Sequence, residues 1–131
     1  MKWAVIIVRT LLGFGFTAIA LAHIFKLMEP QPFPNETVEV YMTKVLAPTG
    51  YLDIVKVLEL VGGVMLLTGF FVPLGITILT PVIVNILIFG VCLAHQPAPG
   101  VVMMAMAAFL IAGYWQHFKS VLAMRATISC C

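Results

Sequence analysis

Apolar residues run through this chain in long blocks separated by prolines, glycines and a few charges, and the blocks set the expected secondary structure. Four of them, 3–25, 49–71, 74–95 and 100–118, each approach the roughly 20 helical residues that cross a hydrocarbon layer about 30 Å thick. Each is therefore read as a membrane-spanning helix. Only Val72-Pro73 lies between the second and third, with Gly69 before and Gly75 after. A tight hairpin is expected there, its proline unable to extend the earlier helix. The third and fourth are joined by Gln96-Pro97-Ala98-Pro99-Gly100, a short link whose prolines favour extended backbone. Residues 1–131 thus read as one all-α membrane domain, a four-helix transmembrane bundle.

Residues 26–48 form the one sizeable segment outside the blocks. Pro30, Pro32 and Pro34 make its first part extended, and Asn35 then caps a short helix with Glu36 and Glu39 in its first turn. Val38, Tyr41, Met42 and Val45 follow the i, i+3, i+4, i+7 spacing of one apolar face. An amphipathic helix lying on the outer surface between spans 1 and 2 is expected, ended by Pro48, the plainer alternative being a lid over the bundle with no ligand under it.

Composition sharpens the class. Apolar residues make up 63% of the chain and charged residues 9%, against about 45–50% and 25% in ordinary soluble domains. A globule of this length has too much surface to hide so many apolar groups, so the remaining solvent is the lipid bilayer. Seven basic residues against five acidic ones leave a net charge of +2, which sets aside a nucleic-acid binder. Lys2, Lys119 and Arg125 mark one side, while Lys26 and Lys44 share the other with Glu29, Glu36 and Glu39. The positive-inside rule then puts both termini in the cytoplasm of a multi-pass protein of the cell (inner) membrane. Lys2 followed by an apolar run ending Ala20-Leu21-Ala22 resembles a signal peptide, but Arg9 inside that run and its length favour an uncleaved span. Cys92 is in the third block, and the adjacent Cys130 and Cys131, about 3.8 Å apart at Cα, are too close for the usual disulfide. No metal-ligating spacing occurs, and no metal is expected.

Polar groups inside the blocks carry the candidate chemistry. Arg9 lies in the first, Lys56 and Glu59 in the second, and Asn85 near the middle of the third. An ion at the centre of a lone helix costs about 2.5–3.5 kcal/mol, so these side chains are expected to face the interior and one another. Helical spacing places Arg9, Gly13, Phe16, Ala20 and His23 on one face, and Thr77, Pro81, Asn85, Ile88, Cys92 and His95 on another. Three readings stay open: a charge network fixing helix register, a polar pocket or proton-handling site, or ions that snorkel to an interface. Gly13, Gly15, Gly62 and Gly63 suit close helix contacts. His23, Lys26 and His95 form a polar set at the outer face; two histidines without a third ligand point to interfacial hydrogen bonding more than to metal or haem. Tyr114, Trp115 and His117 read as an interfacial anchor at the inner edge.

Ala22-His23-Ile24-Phe25-Lys26-Leu27, then Lys56-Val57-Leu58-Glu59-Leu60-Val61-Gly62-Gly63 and Pro73-Leu74, resemble the DoxX-like family of small four-helix membrane proteins. The resemblance covers about the first 95 residues, and Lys26, Glu59, Gly62 and Gly63 are the matching positions. Where that family commonly has a glycine three before the lysine, this chain has His23. The resemblance implies a four-helix bundle and membrane redox chemistry, relatives being subunits of quinone-linked oxidoreductases, partners in thiol and oxidative-stress complexes, or assembly chaperones. It suggests an accessory oxidoreductase subunit more than a stand-alone enzyme, with a quinone headgroup as the possible ligand of Arg9, Lys56, Glu59 and Asn85. Two alternatives stand beside it: a non-enzymatic assembly factor or scaffold for another membrane protein, and a proton or small-solute path in a homo-oligomer.

Overall fold

Glycine, proline and one asparagine set several of the helix boundaries among the described residues. A computed structural model describes residues 1–27 and 35–119, and every regular element among the described residues is helical. Pro30, Pro32 and Pro34, Arg125, Cys130 and Cys131 lie outside the described residues. Helix α1 (Lys2–Ile24) spans 23 residues, about 34 Å at 1.5 Å per residue. It ends as the N–H of Leu27 donates to the carbonyl of Ala22 at 2.8 Å and that of Lys26 to His23 at 3.1 Å. Lys26 itself adopts φ 52°, a conformation that helix ends usually give to glycine.

Asn35 starts α2 (Glu36–Val40), its Oδ1 accepting from the N–H of Val38 at 2.9 Å. The chain then widens into a π-helical turn over Tyr41–Leu46, in which the N–H of Ala47 donates to the carbonyl of Met42. That wider turn alters the expected apolar face. Val38 is buried, and Met42 and Leu46 face inward, but Val45 is 48% exposed because the extra residue per turn carries it outward.

Helices α3 (Tyr51–Thr68) and α4 (Val72–Cys92) form the hairpin, with its turn at 69–71 in place of the expected Val72-Pro73. Gly69 takes φ 79° and Phe71 φ 53°, while Pro73 falls in the first turn of α4, where its missing N–H has no helical partner to lose. Helix α5 (Ala98–Gly113) begins in the proline-rich link for the same reason and breaks at Tyr114, leaving a short α6 (Trp115–Phe118). The fourth block is therefore two helices.

Packing runs α1 on α3, α3 on α4, α4 on α5 and α5 back on α1, a closed ring of four helices. Leu12, Phe16, Leu66, Leu79, Ile83 and Leu110 fill its centre. Contact between α1 and α3 is close enough to require glycine on both sides. A Cβ on Gly13 would lie 2.9 Å from the carbonyl oxygen of Gly63, and one on Gly63 would lie 2.6 Å from Thr17 Oγ1. Gly62 meets Leu79 of α4 in the same way, whereas Gly15 faces open space and takes no part.

Among the described residues two helices, α1 and α4, are long and apolar enough to cross a membrane. By contrast α3 carries Asp53, Lys56 and Glu59 within its 18 residues, and α5 has only 16. The bundle has two distinct ends. Val5 packs on Gly113 and Arg9 on Gly69 at one; His23 meets Asp53, and Asn35 meets Leu93, at the other.

Candidate ligand cavity

Polar side chains of α3 face α4 because the Gly62-Gly63 pair seats α3 tightly between α1 and α4, turning Glu59, one helical turn earlier, inward. Glu59 is 3% exposed, at about the middle of its helix. The Lys56 ammonium donates to Glu59 Oε2 at 2.8 Å, and its side chain retains 19% exposure. This pair borders a cavity of about 550 Å³ between α3, α4 and the surface segment. Asn85 lines the cavity from α4; Val55, Val82, Ile86 and Phe89 give apolar walls; Tyr41, Met42 and Leu46 roof it. The roof is tied down twice. Asn35 Nδ2 donates to the carbonyl of Leu93 at 2.8 Å, and the rings of Tyr41 and Phe89 lie 6.4 Å apart.

The chemistry available is that of hydrogen bonding in an apolar chamber. One N–H of Lys56 is held by Glu59, two remain, and the Asn85 carboxamide both donates and accepts. Such a site suits a small polar headgroup on a greasy body, with few placed polar groups fixing its orientation. The lysine charge is cancelled within the same helix, so an uncharged acceptor fits without bringing a counter-ion.

Family models, curated proteins and solved structures give no match to this chain.

Three of the four expected core polar residues, Lys56, Glu59 and Asn85, meet at this cavity. Arg9 does not. Its Nη1 donates to Tyr114 Oη at 3.2 Å and its guanidinium lies against Gly69, about 15 Å along α3 from Glu59 by helical rise. The shared charge network of Arg9, Lys56 and Glu59 is thus replaced by two separate sites. The expected inward polar stripe of α4 is also reversed: Thr77, Pro81, Asn85, Ile88 and Cys92 are exposed, while Ile76, Leu79, Val82 and Ile83 face the centre. Asn85 reaches the cavity only at its open edge.

At the outer end, His23 Nε2 lies 3.6 Å from Asp53 Oδ1, both well exposed. His95 and Lys26 are exposed in left-handed turn positions, and no group of three or more metal-ligating side chains exists among the described residues. Sequence reasoning passed over Asp53, whose signal was an acidic side chain in the first turn of a helix, where the positive end of the dipole favours it. It also missed the Asn35–Leu93 bond, which no local spacing announces, and read Tyr114 only as an anchor.

Proposed function

We propose that this chain is a multi-pass membrane protein that holds a lipid-soluble ligand with a small carbonyl- or hydroxyl-bearing headgroup, of the quinone type, in the cavity beside Lys56, Glu59 and Asn85. The membrane reading draws on how little of the apolar surface is covered. Only 22% of the apolar stretch of α1 and 33% of that of α4 is buried, and Phe14, Ile54, Phe70 and Val102 are all more than half exposed. Surface of that kind is unstable in water and natural in lipid. In this reading α3 and α5 cross beside α1 and α4, Lys56 and Glu59 of α3 being turned to the cavity while Asp53 lies at the outer end, and Lys2 and Lys119 put the termini on the cytoplasmic side.

The observation that carries the ligand reading is a mainly apolar chamber with one ion pair and one carboxamide at its wall. Joined to the DoxX-like resemblance, it supports reading the chain as an accessory subunit of a membrane oxidoreductase system. The test is retention of a short-chain ubiquinone analogue by the full chain in detergent, with mass spectrometry of co-extracted lipids. Lys56→Met is expected to weaken retention at least tenfold and Arg9→Lys to leave it unchanged; equal retention by both variants would reject the cavity as the site.

A further inference from the structure

The reversed stripe of α4 needs a partner of its own. Thr77, Pro81, Val84, Ile88 and Val91 recur at steps of four, three, four and three, and all are exposed. That alternation is the seam along which two helices pack with a shallow left-handed crossing. Asn85 sits beside the middle of the seam, at the centre of a 21-residue apolar helix, and among the described residues its amide has no hydrogen-bond partner. Pro81 also brings no N–H to the carbonyl of Thr77, leaving a second acceptor on the same face.

A carboxamide at the open, lipid-exposed edge of the cavity is drawn to another hydrogen-bonding group, and small or polar residues act as glue between helices in lipid. The occupant that supplies its match at the right depth is a second copy of this chain. Copies in one membrane share one orientation, so a two-fold axis along the membrane normal sets α4 parallel to α4 and each residue opposite its equivalent. Asn85 then meets Asn85, and a carboxamide is complementary to itself, one donating as the other accepts. The same geometry brings the exposed Cys92, two turns from Asn85 at the outer end of α4, close to its counterpart. We infer that α4 is a homodimer seam centred on Asn85. The second copy also covers the open edge of the cavity, where Asn85 forms part of the wall. This inference rests on the membrane reading but not on the identity of the ligand.

Cys92 makes the test direct. The full chain carrying Cys130→Ser and Cys131→Ser is oxidised with copper phenanthroline in membranes, and the fraction of disulfide-linked dimer is read on a non-reducing gel. Cross-linking through Cys92 is expected, reduced at least fivefold by Asn85→Leu and kept by Asn85→Gln. In a Cys92→Ser background, Phe14→Cys, exposed on α1, is expected to stay monomeric. Absence of cross-linking in chain that resists alkaline carbonate, indifference to Asn85→Leu, or equal cross-linking through residue 14 would each overturn the seam while leaving the ligand reading intact. Release of the chain by carbonate would overturn both.

Discussion

Lys56 and Arg9 are both cations set in apolar helices, and the fold treats them in opposite ways. Lys56 finds its counter-charge three residues on in the same helix, at 2.8 Å, and the neutral pair faces a chamber. Arg9 has no ion pair among the described residues; it rests on the left-handed Gly69 turn, gives one N–H to Tyr114, and keeps its Nε buried without a partner. The difference is one of depth. A charge near the middle of a helix needs its opposite at hand, whereas one within a few turns of the end can lie over the α3 terminus, whose carbonyls favour a cation. The first arrangement leaves donors free for a ligand. The second pins a turn.

The sharpest way to break this contrast is to remove the partner of Lys56. Glu59→Leu strands an ammonium in an apolar wall and is expected to destabilise the chain by about 3–5 kcal/mol, whereas Lys56→Met together with Glu59→Leu recovers most of that loss. Denaturant titration in micelles reads both. Next in size is Gly69→Ala, which forces a side chain into φ 79° and sets its Cβ 3.2 Å from the guanidinium. About 1–3 kcal/mol is expected, with only the backbone share surviving in an Arg9→Ala background. Tyr114→Phe removes a single hydrogen bond from Arg9, worth about 0.5–1.5 kcal/mol by the same titration. Asp53→Asn, at an exposed pair with His23, is expected to shift the midpoint by less than about 1 kcal/mol.

Much of this was readable in advance where the deciding force is local. Asn35 caps the surface helix as its type and place demand, Gly13 and Gly63 mark the close contact of α1 and α3, and the pairing of Lys56 with Glu59 follows from three-residue spacing. Non-local choices were hidden. Helix α4 is apolar nearly all round, so its polar positions lined up without revealing that they point away from the centre. Arg9 shares a face with buried Gly13 and Phe16, yet which end of α3 it meets depends on where the 69–71 turn stands in space. The hairpin proline was read as a stop for one helix when it serves as the start of the next.

The widened turn over Tyr41–Leu46 holds one residue more than ordinary winding needs. Deleting one of those residues, Thr43 for example, restores regular pitch and leaves every later side chain of the segment on its present heading, because the wide turn had already absorbed the extra residue. Leu46 would still face the chamber. A single added amino acid is thus taken up as slack in the covering arm, and shortening the arm by that one unit preserves its aim as well as the grip of Asn35 on Leu93.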